Sequence, residues 1–165
     1  MQASLLALSR QAVPQLRLEK TAENLSARGA YVIRQLGGKE RDLTILATGT
    51  EVEIAVRAGE QLAEEGLSVA VVSMPCWELF EAESTAYRDG VLGSAPRVAI
   101  EAAAKFGWTR YVASEHDVIG LESFGHSAPG EVVYEKMGIT ADALMARARE
   151  KLNIRAANHR GHPRQ

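Results

Sequence analysis

Hydrophobic and polar positions fall into two periods along most of this chain. Leu43-Thr44-Ile45-Leu46-Ala47 is a short, nearly continuous apolar run with β-branched members, which predicts a buried strand. Val52, Ala55, Val56, Gly59, Leu62 and Ala63 then recur at helical spacing and predict an amphipathic helix. Thr50 followed by Glu53 predicts a capping box at its start, and Gly66 a glycine stop at its end. Ser68 to Ser73 reads as the next strand, closed by Met74-Pro75. Glu78 to Leu92 reads as a helix in two pieces, and Arg97 to Glu101 as another short strand. Val118 to Gly120 is the last candidate strand. Pro129 suits the first turn of a helix through Met137, and Thr140 or Asp142 caps a final helix to about Leu152. Toward the N-terminus, Leu5 to Leu8 predicts a short buried strand, broken by Val13-Pro14. Residues 14 to 28 read as a polar linker, and Ala30 to Leu36 as a strand stopped by Gly37-Gly38. From Asn153 onward the chain is basic and poor in apolar residues, which predicts a disordered tail. No internal repeat is visible.

Strand and helix alternate, the pattern of a three-layer α/β/α sheet with right-handed crossovers that put helices on both faces. A length of 165 residues fits one domain with a tail or with the remnant of a neighbour. Hydrophobic residues make up 46% and charged residues 24%, ordinary for a soluble globular domain. The net charge of -2 gives no broad basic field, which argues against nucleic acid as a partner. Cys76 is the only cysteine, so an internal disulfide is excluded and a reducing, cytoplasmic setting fits. No apolar run approaches the roughly 20 residues of a membrane span, and Met1-Gln2-Ala3-Ser4 lacks a basic leader segment.

Six segments carry a family likeness. Ile119-Gly120-Leu121-Glu122-Ser123-Phe124-Gly125-His126-Ser127-Ala128-Pro129 resembles the strand and "TFG-x-SAP" segment of the transketolase C-terminal domain. Ala47-Thr48-Gly49-Thr50-Glu51-Val52-Glu53 is similar to the family's "ATGSEVE", and Val71-Val72-Ser73-Met74-Pro75 to its "VVSMP". Tyr87-Arg88 with Val91-Leu92 is similar to "YRxxVL", and Val98-Ala99-Ile100-Glu101-Ala102 to "VAVEA". Leu8-Ser9-Arg10-Gln11 resembles the end of the family's preceding, pyrimidine-binding domain. The Ser-Met-Pro and Phe-Gly-x-Ser-Ala-Pro segments favour transketolase over deoxyxylulose-phosphate synthases and the β subunits of 2-oxo-acid dehydrogenases, which share the domain. The resemblance implies a five-stranded mixed sheet whose first strand, Ala30 to Leu36, runs antiparallel to the rest. It divides the chain into a remnant and linker (1–28), the domain (29–153) and a tail (154–165). A start at Met1 inside what resembles another domain's last strand implies a piece of a longer enzyme.

That enzyme, by resemblance, moves a two-carbon ketol unit between sugar phosphates, in the pentose phosphate pathway or the Calvin cycle. Thiamine diphosphate serves as its electron sink, held through a divalent metal, Mg or Ca. The family's metal site resembles Gly-Asp-Gly followed some tens of residues later by Asn. Here Arg88-Asp89-Gly90 is followed by no Asn before Asn153, so no cofactor, metal or catalytic residue is expected in this chain. Arg10 is the one position with an implied substrate contact, since the arginine of that segment binds the sugar phosphate in the family and a guanidinium fork suits phosphate oxygens. The plain alternative is a solvated residue on a leftover strand. The implied role of the domain is architectural: it braces the cofactor-binding domains and a homodimer. The alternatives are a subunit of a split transketolase or other thiamine-diphosphate enzyme, and a stand-alone anion-binding module at Thr48-Gly49-Thr50.

The remaining chemistry-bearing residues have plain readings beside them. The turn before Thr50 precedes a helix N-terminus, where backbone N–H groups attract anions, but Glu51 and Glu53 repel a phosphate and suit the helix dipole. Glu101 ends a strand at the carboxyl edge, where α/β sheets place ligands, and shares a crevice with Thr48 and Phe124 unless it caps a helix or forms an ion pair. Cys76 lacks a histidine partner. His126 sits at a variable family position. His116 and Asp117, adjacent on a strand, point to opposite faces. His159 and His162 belong to the tail. Trp77, Phe80 and Trp108 are core or interface aromatics. No G-x-G-x-x-G or G-x-x-x-x-G-K-[ST] is present.

Overall fold

The structure, a computed structural model, describes residues 5–9, 11–19, 21–38 and 40–160, with side chains through Asn153. Five strands form one sheet: β1 (Tyr31–Leu36), β2 (Leu43–Ala47), β3 (Val69–Ser73), β4 (Arg97–Ala104) and β5 (Val118–Leu121), in the order β1-β3-β2-β4-β5. β2 pairs parallel with β3 and β4, β4 pairs parallel with β5, and β1 closes the β3 edge antiparallel. The mixed sheet with an antiparallel first strand is therefore as expected. Parallel strands covered on both faces need apolar side chains in both directions. All five positions of β2 and all five of β3 are buried, which is why they read as continuous runs.

The alternation of side chains along each strand separates two cores. Leu43, Ile45, Val69, Val71, Val98 and Ile100 face α1 (Glu51–Glu64) and α5 (Ala141–Arg160), which bury Ala55, Leu62, Leu144 and Ala148 against them. Leu46, Val72, Ala99 and Val118 face the other way, toward Phe80 of α2 (Trp77–Glu81), Val91 of α3 (Thr85–Leu92), Trp108, Tyr111 and Val112. Thr44 lies within this second layer with its hydroxyl donating to Leu92 O at 3.0 Å, so its polar atom is met. Trp108 and Phe80 are fully buried, and Trp77 stands edge-on to Trp108 at 5.0 Å between centroids. These aromatics are core in this chain.

Gly29 shows how closely the first turn meets α2. Its φ is +76°, and an added Cβ would stand 2.2 Å from Phe80 N and 2.3 Å from Cys76 O, so only glycine fits. Beside it Arg28 grips Glu83 with two bonds, Nε to Oε1 at 3.0 Å and Nη2 to Oε2 at 2.9 Å. Its guanidinium lies 3.4 Å from the Tyr87 ring centroid.

Several expectations are corrected. Leu5, Leu6 and Leu8 form no strand; they are 94%, 81% and 85% exposed. An apolar run becomes a strand only beside a sheet edge and a burying layer, and the described residues offer neither there. β4 runs past Glu101 to Ala104. Glu115–Asp117 is a 3-10 turn rather than a strand, because Ser114 and Asp117 form a capping box. Asp117 is buried and also accepts from Lys151 Nζ at 2.8 Å, while His116 turns outward to Glu150 at 3.0 Å. α5 continues past Leu152 to Arg160, into the stretch expected to be disordered. Its N-terminus is capped by Thr140, whose Oγ1 accepts from Ala143 N at 3.2 Å. α4 (Gly130–Lys136) starts directly after Pro129.

Candidate functional site

The first turn of α1 is the place where sequence pattern and structure meet most closely. The backbone leaves β2 at Ala47, turns at Gly49 with φ +59°, and enters the helix through Thr50. The expected Thr50–Glu53 capping box is absent. Thr50 already has helical dihedrals, and its hydroxyl donates to Glu51 Oε1 at 2.6 Å instead. Glu51 is only 5% exposed, and its carboxylate accepts a second hydrogen bond from the Tyr134 hydroxyl of α4. Burial, and then the bond to Glu51, push the Tyr134 phenol above its ordinary pKa. A buried carboxylate thus occupies the helix N-terminus, the position an anionic ligand would need. The anion-binding reading of Thr48-Gly49-Thr50 has no support from this geometry.

Two clefts flank this turn. One, about 840 Å³, opens between α1 and α4, where Glu53, Glu131 and Glu135 outnumber Arg57. The other, about 760 Å³, lies beside Tyr31, Val52 and Ser73, and its described lining includes Glu19, Glu23 and Arg17. The acidic described lining of the first makes it a poor seat for a sugar phosphate.

Glu101 does not join Thr48 and Phe124 in a crevice. Its carboxylate accepts from the Trp108 indole N–H, and Phe124 is 97% exposed. The carboxylate anchors the buried tryptophan, a structural use. Cys76 is half-buried, with its thiol donating to Glu78 Oε2 at 3.4 Å. Tyr111 donates to Glu81 at 2.8 Å, and burial together with that bond pushes its pKa up to about 12. His126 is exposed in the loop after β5. Arg10 lies outside the described residues, as does His162; His159 falls where only the backbone is described.

Among the described residues, the Arg88-Asp89-Gly90 segment offers no seat for thiamine diphosphate and its metal. Among the described residues no group of three or more His, Cys, Asp or Glu side chains is placed to hold a metal ion. Arg88-Asp89-Gly90 lies inside α3, with Arg88 paired to Glu81 at 2.8 Å, so it is no diphosphate loop. The contacts that sequence reasoning missed are Glu51–Tyr134, Glu101–Trp108 and Asp117–Lys151. The first and last join residues more than thirty positions apart and leave no local trace.

This strand order and an antiparallel first strand define a three-layer α/β/α domain with a five-stranded mixed sheet. A family model described as "Transketolase-like TK C-terminal domain" matches residues 29–140, and the chain belongs to that family. The transketolase of Sinorhizobium medicae (strain WSM419) is 57% identical over 150 residues, covering 90% of this chain and 21% of that protein. Transketolase from Leishmania mexicana superimposes with a TM-score of 0.71 at 40% identity, covering 78% of this chain and 18% of that one. Transketolase from Pichia stipitis in complex with sedoheptulose-7-phosphate gives 0.78 at 29% identity, covering 90% and 21%. The chain spans about a fifth of the length of these relatives. Among the described residues no helix is long and apolar enough to cross a membrane.

Proposed function

We propose that this chain is the C-terminal structural domain of a transketolase, an enzyme that transfers a two-carbon ketol unit between sugar phosphates in the pentose phosphate pathway or the Calvin cycle. In that enzyme, thiamine diphosphate and a divalent metal supply the electron sink from the other domains. The parent is a cytoplasmic homodimer, and Arg10 reaches the sugar phosphate only in its context. This chain's own part is to brace the cofactor-binding domains; it performs no step of the chemistry itself.

The observation that carries this reading is the apolar surface left open at the carboxyl edge of the sheet. Phe106 and Phe124 are 90% and 97% exposed on neighbouring loops, which the Lys105–Glu122 ion pair ties together. Exposed aromatics of this size are the kind of uncovered apolar surface that marks a contact with further polypeptide, and Leu5, Leu6 and Leu8 are likewise exposed.

The test is complementation. The Sinorhizobium medicae relative is cut before its matching segment and assayed for ketol transfer from sedoheptulose-7-phosphate to an aldose phosphate, with and without this chain. The expected result is no transfer by this chain alone, and recovery when the two pieces are combined. Transfer by this chain alone, or a cut relative that is fully active without it, overturns the reading. Calorimetric titration of thiamine diphosphate with Mg²⁺ into this chain should give no saturable heat.

A further inference from the structure

We propose that the cleft beyond the carboxyl ends of β4 and β5 is a binding site for a phosphate group, held by Lys105, Lys136 and Arg147. Four segments converge there. Lys105 directly follows β4, Glu122, Ser123 and His126 follow β5, Lys136 ends α4, and Arg147 comes from the middle of α5. The space between them is about 450 Å³, ample for a phosphate and part of the molecule bearing it.

Among the described residues the charge balance is the reverse of that in the cleft between α1 and α4. Among the described residues, Lys105, Lys136 and Arg147 line this cleft against a single carboxylate, Glu122. Glu122 is paired with Lys105, and its carboxyl is held below the usual range by Lys105 first and by Arg147 beyond it. Lys136 and Arg147 therefore line the cleft with no other carboxylate among its described lining residues.

Arg147 supplies the independent observation. Its Nε meets Glu150, which does not line the cleft, at 3.2 Å, and its Nη1 is buried with no hydrogen-bond partner among the described residues. Arg147 lines the cleft, and an oxyanion there offers its guanidinium a partner in the fork geometry that suits phosphate. Gly120 contributes to the shape. An added Cβ there would stand 2.9 Å from Lys105 Cγ and 3.1 Å from Ala103 O, so its bare backbone is what lets the lysine stem lie across β5 toward the cleft. The site is separate from the Thr48-Gly49-Thr50 turn and does not depend on the parent enzyme's chemistry.

The experiment is an amide NMR titration of the full chain with inorganic phosphate at constant ionic strength, with sodium chloride as the control. Saturable shifts confined to residues 105–107, 120–126 and 136–138 are expected. Arg147→Gln should weaken binding about tenfold or more. Lys136→Gln, at an exposed position that leaves the core untouched, should weaken it severalfold with the fold intact. Glucose 6-phosphate binding as tightly or more tightly would identify a phosphate monoester as the ligand, and weaker binding the free ion. Shifts that never saturate, that spread equally to Arg97 and Arg110, or that survive both substitutions overturn the proposal.

Discussion

Gly59 and Gly90 both sit within helices, yet the same substitution should move stability in opposite directions. Alanine is favoured over glycine in a helix interior by about 0.8–1 kcal/mol. At Gly90 in α3 an added Cβ meets nothing within 4 Å, so Gly90→Ala should stabilise by about that amount. At Gly59 in α1 the same Cβ would stand 2.9 Å from Val71 Cγ2 and 3.1 Å from Leu36 Cδ1. Ordinary carbon contacts lie near 3.5–4.0 Å, so the neighbours must yield by roughly half an ångström or more. Val71 is fully buried in β3, between β1 and β2, and its branched side chain is stiff about χ1. Overpacking of this kind costs about 1–3 kcal/mol. Subtracting the propensity gain leaves Gly59→Ala destabilising by about 1 kcal/mol. The two variants should differ by about 2 kcal/mol, or about 4–8 °C in Tm for a chain of this size. Urea unfolding followed by circular dichroism measures both against the parent chain. A Gly59→Ala variant as stable as Gly90→Ala would show that the α1–β3 contact is looser than described, and would refute the reasoning.

Three further predictions concern the polar contacts. Tyr134→Phe leaves the buried Glu51 carboxylate with only Thr50 as donor, and should cost about 1–3 kcal/mol in urea unfolding; an unchanged midpoint would remove Tyr134 from that role. Tyr111 should titrate in the ultraviolet near its raised value of about 12. Because its folded pKa lies above the ordinary value of 10, its contribution is complete below 10 and is lost as pH rises toward 12; a single phenol transition near 10 would contradict the Glu81 contact. Glu65, Glu83, Glu122 and Glu150 are each held below 4.5, by hydrogen bonds from Arg149, Arg28, Lys105 and His116 in turn. Their contribution is present above 4.5 and is lost as pH falls through the depressed values, so the urea midpoint should fall with acidification below 4.5; a flat midpoint there would show these pairs to be inert.

The inner strands were legible because burial on both faces leaves no polar position to interrupt them. The predicted Leu43 to Ala47 strand is β2, and only the first residue of the predicted Ser68 to Ser73 strand falls outside β3. α1 was legible from its apolar stripe, but its start was misread. The Thr-x-x-Glu pattern is local, whereas the bond Thr50 forms belongs to an arrangement completed by Tyr134 from across the chain. Leu5 to Leu8 has the composition of a strand, and composition cannot tell whether a pairing partner lies beside it. The Phe124-Gly125 segment was the strongest family signal and is among the most exposed parts of the chain. Its pattern therefore records something other than packing in this domain. Lys105, Lys136 and Arg147 stood out nowhere in the sequence, since only the ends of separate elements bring them together.

The two outer strands of the sheet bear on how this domain behaves when produced on its own. An open strand edge invites another chain to add to it, the first step of many aggregates. β1 has an irregular register against β3 between Val32 and Arg34. Arg34 also covers this border with its guanidinium, donating to Ile33 O at 2.9 Å and to Leu16 O of the neighbouring segment. β5 is only four residues long and is broken in register against β4. Both borders thus carry devices that discourage edge-to-edge stacking. Any clumping of the isolated domain should then begin at the bare phenylalanine loops and be suppressed by Phe106→Ser with Phe124→Ser, not by changes along the strand margins.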